Sequence, residues 1–170
     1  MWLVFKVIQM FKFLEIDQEA FQEMIQFYGN IYHLPPLASK IFSYMVFDFE
    51  KRGVTFDELL EFFAVSKSSI SSSISLLVEK GLIINIQKSE ERKRYYHVNP
   101  NSSKIRFEEI LKRLEQESLI VDKLKSFKDK HNKAANCKEY TQHYIIYKNF
   151  LEKGIENFKD TLTKLSTNNL

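Results

Sequence analysis

Several residue types and features that mark other classes of protein are scarce in this chain. Cysteine occurs once, at Cys137, which excludes an internal disulfide and a cysteine-rich zinc site, so we expect a reducing compartment. Four glycines and three prolines among 170 residues favour long helices over a turn-rich β fold. The apolar run 2–14 is too short to span a membrane and contains two lysines, which predicts a cytoplasmic protein without a membrane partner.

Sequence motifs that carry catalysis are absent as well. The chain has no glycine-rich phosphate loop, no nucleophile elbow and no pair of catalytic carboxylates. His131, Cys137 and His143 recur at intervals of six, which does not place them on one face of a helix, so they do not form a metal-site pattern. We therefore expect neither an enzyme nor a bound cofactor.

The most informative stretch is 54–98, where two helices are followed by two strands. Thr55 with Glu58 three residues later is the pattern of a capping box, in which each side chain bonds the other's backbone N–H. Ser66 is a good N-cap and Gly81 a good C-terminal stop, which predicts a second helix over 66–80. Residues 82–87 and 94–98 are predicted strands joined by a charged tip. Helix, turn, helix and hairpin in this order predict a winged helix-turn-helix.

Amphipathic helices are predicted on both sides of this motif, over 17–33, 36–51, 105–127 and 139–165, with Val54 as a short third strand. The fold class is therefore mainly α (α+β). Their apolar stripes exceed what a small winged unit can bury, and a second copy of the chain is the economical partner. We divide the chain into an N-terminal arm and helix for dimerisation (1–33), a DNA-binding domain (34–100) and C-terminal dimerisation helices (101–170).

The helix 66–80 suits the major groove of DNA. Its apolar residues Ile70, Ile74, Leu77 and Val78 share one face and are expected to pack inward. Serine is a mediocre helix former, so a serine-rich face opposite the apolar one needs a functional explanation. Small hydroxyl side chains let a helix lie deep in a groove of DNA. The alternative is a serine-rich surface helix without a role. The predicted DNA contacts are Ser66, Lys67, Ser68, Ser69, Ser71, Ser72 and Ser75.

The tip of the hairpin provides the second predicted contact. Arg92 follows two acidic residues and is expected to enter the narrow minor groove, while Lys88, Lys93 and Arg94 are expected to contact phosphates. Charge is distributed accordingly, with a net −6 over 15–65 and a net +3 over 66–97. A solvated polar hairpin is the alternative interpretation.

These residues resemble the MarR superfamily of transcriptional regulators, closest to its GbsR-like branch. The resemblance lies in the segments 65–71, 76–83 and 90–96, where Glu90-Glu91-Arg92 is similar to the acid-x-Arg signature of the family wing. It implies dimers formed through helices from both chain ends, and repression released by a small ligand, with choline and osmoprotectant genes as the targets of the GbsR branch. One departure is the helix start Pro36-Leu37-Ala38, which lacks the family's basic residue and has only Lys40 nearby.

A cluster of aromatic residues permits two interpretations. Phe47 and Phe49 belong to it together with Tyr28, Tyr32, Phe42 and Tyr44, the four residues predicted to bind a ligand. These rings are expected to line a cavity for a small-molecule effector, and an aromatic cage would suit a quaternary ammonium. The alternative is that they are ordinary core, which the residue types favour.

Together these observations predict a homodimeric transcriptional regulator, a repressor, that binds specific sequences in double-stranded DNA. Two-fold symmetry predicts half-sites about one helical turn apart. The alternative is a winged-helix module for protein–protein interaction without DNA binding. A continuous positive strip across the recognition face would favour DNA, and an apolar or acidic face would favour a protein partner.

Overall fold

The computed structural model describes residues 13–87, 93–131 and 138–167. These residues form two compact units, which divide after Ser102. The first unit contains four helices: α1 (Gln18–Tyr32), α2 (Pro36–Val46), α3 (Phe56–Phe63) and α4 (Lys67–Glu79). No helix within the described ranges has both the length and the apolar character needed to cross a bilayer.

The helix ends of the first unit follow from local side-chain chemistry. The Asp17 carboxylate caps α1 by accepting from the Ala20 N–H at 2.9 Å, and Pro36 occupies the first turn of α2. Thr55 caps α3 by accepting from the Glu58 N–H at 3.2 Å. The Glu58 carboxylate does not return this bond, because Arg52 and Tyr44 hold it instead. The predicted bond from Thr55 to the Glu58 N–H is therefore present, and the predicted return bond from the Glu58 side chain to the Thr55 N–H was wrong.

Helix α2 ends at Val46, five residues before the end predicted for it. The side chain of Asp48 accepts from the backbone N–H groups of Arg52 at 3.0 Å and Gly53 at 2.8 Å. These bonds fold the segment into a turn, in which Lys51 adopts a left-handed conformation with φ 53°. An Asp side chain that bonds nearby backbone in this way competes with helix continuation.

Three strands form one antiparallel sheet in the order β1-β3-β2, with β1 at Val54–Thr55, β2 at Ile83–Gln87 and β3 at Arg94–Val98. The short third strand was predicted correctly. In the register, Asn85 lies opposite Tyr96 and Ile84 opposite His97. Because side chains alternate along a strand, Asn85 and Tyr96 share one face of the sheet, and Ile84 and His97 share the other.

One core joins the helices and the sheet of the first unit. Fully buried residues come from α2, α3, α4 and the strands, among them Ile41, Tyr44, Leu59, Ile70, Leu77 and Ile83. Phe21 of α1 lies in the same core, so α1 and the winged motif fold as one unit. The prediction of a mainly α winged helix-turn-helix is confirmed, and the domain boundaries drawn from the sequence stay predictions.

The second unit consists of two long helices, α5 (Ser102–His131) and α6 (Lys138–Thr167), each of 30 residues. Contacts between them pair the start of α5 with the end of α6, as in Phe107 and Phe158, whose ring centroids are 5.7 Å apart. The helices are therefore antiparallel. Leu151 is completely buried within this unit.

Candidate nucleic-acid interface

Helix α4 separates its apolar and hydroxyl side chains onto different faces. Ile70, Ile74 and Leu77 are buried against the core, as predicted, and Ser73 is buried beside them. Val78, which was expected to pack inward with them, is instead 38% exposed. One residue along a helix rotates the side chain by about 100°, so Val78, which follows Leu77, lies at the edge of the buried stripe and its side chain reaches solvent. The seven predicted contact residues of this helix are all exposed: Ser66, Lys67, Ser68, Ser69, Ser71, Ser72 and Ser75.

The first turn of α4 carries a cluster of hydroxyl groups. Ser66 is the N-cap, and its Oγ accepts from the Ser69 N–H at 3.2 Å. The same Oγ lies 2.9 Å from the Ser68 Oγ and 2.8 Å from the Ser69 Oγ. Hydroxyl groups that can exchange donor and acceptor roles therefore surround a helix N-terminus, where backbone N–H groups and the helix dipole favour an anion.

The exposed face of α4 and the sheet enclose a groove of about 390 Å³, which we call the recognition groove. Ser71 and Ser75 of α4 line one side, and Asn85 and Arg94 of the sheet line the other. Ser71 and Ser75, from the predicted helix contacts, and Arg94, from the predicted wing contacts, thus meet at one surface. The other lining residues are Phe56, Ile74, Val78, Glu79 and Tyr96.

Asn85 and Glu79 were missed by the sequence analysis. Asn85 had a detectable signal, because it is a polar residue within the otherwise apolar run 82–86. A strand that alternates between two environments places such a residue on the face opposite its apolar neighbours. Glu79 gave no signal that distinguishes it from an ordinary surface carboxylate.

Two of the predicted basic residues of the hairpin lie within the described ranges. Lys93 precedes β3 and Arg94 begins it, and both side chains are exposed. Lys88 and Arg92, the other predicted wing contacts, lie outside the described residues.

A buried polar network holds α3 against α2. The Glu58 carboxylate is only 6% exposed and forms a bidentate ion pair with the Arg52 guanidinium, with N–O distances of 2.5 and 2.9 Å. Tyr44 donates its hydroxyl hydrogen to the same carboxylate at 2.7 Å and accepts from the Leu14 N–H at 2.8 Å. Burial raises the pKa of Tyr44 far above its ordinary value. The network fixes the helix that precedes α4 and so positions the recognition face.

The predicted aromatic ligand residues do not come together as one set. Tyr28, Tyr32 and Phe42 pack on one another, with ring centroids 4.8 to 6.0 Å apart. Tyr44 lies two positions after Phe42 on α2 and therefore points to another side of the helix, where its ring lies 4.2 Å from that of Phe62. Phe49 is 79% exposed, so it does not line an enclosed cavity.

The second unit combines an internal polar cluster with a large exposed apolar surface. Lys148 of α6 donates to Ser118 at 2.7 Å and to Asp122 at 2.6 Å on α5, and Tyr144 donates to Asp122 at 2.9 Å. The hydrogen bond from Lys148 is the main cause that lowers the pKa of Asp122.

The surface that we call the apolar helix face has its large side chains 51% to 65% exposed: Leu119, Ile120, Leu124, Phe127, Ile145, Ile146 and Phe150.

Metal-ligating side chains do not cluster in the described ranges, where no three His, Cys, Asp or Glu residues lie close enough to hold an ion. Of the residues in the sequence pattern, His131 and His143 are exposed helical residues, and Cys137 lies outside the described residues.

Comparisons with known proteins give a structural match but no sequence family. No protein-family model matches the chain, and no curated protein matches it. A crystal structure of a transcriptional regulator superposes with a TM-score of 0.52 at 17% identity, covering 88% of this chain and 97% of that chain. The transcriptional regulator BldR from Sulfolobus solfataricus matches with a TM-score of 0.38 at 16% identity, covering 84% and 88% of the two chains. The first of these likenesses shows a shared fold.

Proposed function

We propose that this protein is a homodimeric transcriptional regulator that binds specific sequences in double-stranded DNA. The observation that carries the proposal is the recognition groove, in which exposed serines of α4 face Arg94 and Asn85 of the sheet. A helix with a small, polar outer face fits the major groove, and a neighbouring arginine supplies the charge for the flanking phosphates. The shared fold with a transcriptional regulator supports the same function.

In this proposal each part of the groove has a distinct role. Ser71 and Ser75, in the middle of α4, face base edges, where their hydroxyl groups donate or accept. The N-terminal cluster at Ser66 receives a phosphate, because free N–H groups of a helix start bind anions. Lys93 and Arg94 contact the DNA backbone beside the wing, and Arg92 reads the minor groove.

The apolar helix face supports the dimer. Leu119, Leu124 and Phe127 on α5 and Ile146 and Phe150 on α6 are each more than half exposed. Large apolar side chains left exposed along helices mark surfaces that a partner covers, and a two-fold dimer covers the same surface on both copies. A dimer also provides the two recognition helices that a pseudo-palindromic site requires.

The wing and recognition-helix residues that resemble the MarR superfamily support three finer parts of the proposal. The protein would act as a repressor, would belong near the GbsR-like branch, and would work in the cytoplasm without catalysing a reaction. The segment 90–96 carries the family-like wing signature, and 65–71 and 76–83 carry the helix pattern.

The test is a selection of duplexes from a randomised DNA library with the full chain, followed by titration of the enriched sequence. We expect enrichment of a pseudo-palindrome with half-sites about one helical turn apart, bound as a dimer. A Ser71→Tyr variant, in which a bulky side chain occupies the groove, should lose this enrichment, while Ser102→Ala should retain it. If no sequence is enriched and the same face binds a protein partner, the chain is a module for protein–protein interaction instead.

A further inference from the structure

The last residue of α4 is a carboxylate that faces the recognition groove. Glu79 is exposed and lines this groove together with Ser71 and Ser75 of the same helix. It is the only acidic residue of α4, and Lys67, at the other end, is the only basic one. The Glu79 carboxylate has no ion-pair or hydrogen-bond partner among the residues that the structure describes. A hydrogen-bond acceptor is therefore available at the surface that is proposed to meet DNA.

Glu79 lies on the side of α4 that is turned away from the core. Side chains spaced four, three and four residues apart share one face of a helix, which places Ser68, Ser72, Ser75 and Glu79 in a single stripe. All four are exposed, and the buried stripe of α4 lies about half a turn away. The outer stripe therefore consists of three hydroxyl groups and one carboxylate.

This carboxylate is electrostatically unfavourable in its position. The C-terminal end of a helix carries partial negative charge, so an acidic side chain in the last turn opposes the helix dipole. The phosphates of DNA are negative as well, so a carboxylate in the recognition groove weakens every contact that depends on charge alone. A contact with a base that presents a hydrogen-bond donor would offset both effects.

The four bases differ in what they offer to such a group. A carboxylate accepts hydrogen bonds and donates none. In the major groove, guanine presents two acceptors, and thymine presents an acceptor and a methyl group. Adenine presents its amine beside the acceptor N7, whereas cytosine presents its N4 amine without an acceptor. Cytosine is therefore the base that suits a carboxylate best.

We propose that Glu79 is a specificity-determining residue that accepts a hydrogen bond from the N4 amine of a cytosine in each half-site. This inference deepens the proposed function and rests on it. Four residues advance a helix by about 6 Å, and successive base pairs are about 3.4 Å apart. Glu79 therefore meets a base pair within two steps of the pair that Ser75 faces. Where no cytosine is present, the carboxylate repels the DNA, which raises the ratio of specific to non-specific affinity.

The test compares the unaltered full chain with Glu79→Ala on the duplex enriched from the library and on a scrambled duplex. Glu79→Ala should bind the enriched duplex about tenfold more weakly, as expected for the loss of one base contact. It should bind the scrambled duplex about twofold more tightly, because a repulsive surface charge is removed. Weaker binding to both duplexes would show a structural role, and tighter binding to both would show phosphate repulsion alone. Either result would overturn the proposal.

A modified base tests the same contact at the level of one atom. N4-methylcytosine keeps the hydrogen that pairs with guanine and replaces the hydrogen that points into the major groove. Placed in turn at each invariant cytosine of the half-site, it should weaken the unaltered chain about tenfold at one position. Glu79→Ala should be insensitive to the methyl group at that position. An enriched half-site without an invariant cytosine, or equal sensitivity of the two chains, would contradict the assignment.

Two glutamine variants serve as a matched pair. Glutamine can bond both the N6 amine and the N7 acceptor of adenine, so library selection with Glu79→Gln should replace the cytosine by adenine. Glu50→Gln removes the same charge at an exposed position outside the recognition groove and should select the same sequence as the unaltered chain. A retained cytosine in the Glu79→Gln selection would overturn the proposal.

The outcomes separate this inference from the function on which it rests. If the unaltered chain enriches no sequence, the proposed function is wrong and the role of Glu79 falls with it. If the unaltered chain and Glu79→Ala enrich the same sequence with the same affinity, the proposed function stands and only the assignment of Glu79 is overturned.

Discussion

The hydroxyl group of Tyr44 donates a hydrogen bond to the buried carboxylate of Glu58 across 2.7 Å. Tyr44→Phe removes this bond and the one that Tyr44 accepts from Leu14, so we expect the free energy of unfolding to fall by about 2 kcal/mol. Urea denaturation measures the change. The control is Tyr96→Phe, since that ring is also buried but its hydroxyl has no hydrogen bond within the described ranges. Equal losses in the two variants would show that the network does not stabilise the unit.

Gly53 should tolerate no side chain. Its φ is +82°, and an added Cβ would lie 2.6 Å from the His97 Nε2 and 2.9 Å from the Tyr95 Cβ. Gly53→Ala should therefore lower the free energy of unfolding by roughly 2 kcal/mol, because backbone strain and crowding add.

Gly29→Ala is the matched control for this prediction. Gly29 lies inside α1, and its added Cβ would meet Ser39 at an ordinary 3.5 Å. We expect thermal unfolding to show a gain of about 0.5–1 kcal/mol in this variant, since alanine is the better helix former. If Gly53→Ala were as stable as Gly29→Ala, the turn at 48–53 would not have the described conformation.

The ion pair between Asp122 and Lys148 makes the second unit sensitive to acid. The hydrogen bond from Lys148 lowers the pKa of Asp122, so the folded state binds this proton less readily than the unfolded chain does. The stabilising contribution is therefore complete above the ordinary pKa of an aspartate and is lost as the pH falls through the lowered value. Carbon-13 NMR titration of the Asp122 carboxyl group should show a pKa below the ordinary value of an aspartate. An unshifted pKa for this group would refute the assignment.

A charge on the apolar helix face should disrupt the dimer. Leu124 is 58% exposed on α5, and Leu124→Asp would place a carboxylate where the partner is proposed to pack. We expect the dimer dissociation constant from analytical ultracentrifugation to rise at least tenfold, because an unpaired charge would be buried. Ser103→Asp adds the same charge at an exposed polar position in the first turn of α5, about four helical turns before Leu119, and should leave dimerisation unchanged. A dimer that survives Leu124→Asp unaltered would place the interface elsewhere.

Features governed by neighbouring residues were predictable from the sequence. Ser66 and Gly81 define the ends of the recognition helix through capping and a left-handed stop, with φ 67° at Gly81, and the structure has both. The two strands of the hairpin, which were predicted on either side of a charged tip, are also present, at Ile83–Gln87 and Arg94–Val98. These outcomes depend on a few adjacent side chains, so no knowledge of the tertiary fold was needed.

Features governed by distant partners were not predictable. Glu58 was expected to cap α3, but Arg52 and Tyr44 hold its carboxylate, and both contacts require the packed arrangement of α2 and α3. Tyr44 was grouped with Phe42 because both are aromatic, although the helix turns them to different sides. Asn85 enters the recognition groove only through the register of β2 with β3.

The most direct test of the account is the salt dependence of binding to the selected duplex, measured by fluorescence anisotropy for the unaltered chain and for Arg94→Ala. Each phosphate contact releases counterions, so the logarithm of the binding constant should fall linearly with the logarithm of salt concentration. Loss of the Arg94 contact should weaken binding and make this slope shallower by about one. Binding that does not depend on salt, an unchanged slope in Arg94→Ala, or no binding at micromolar protein would contradict the proposed DNA interface.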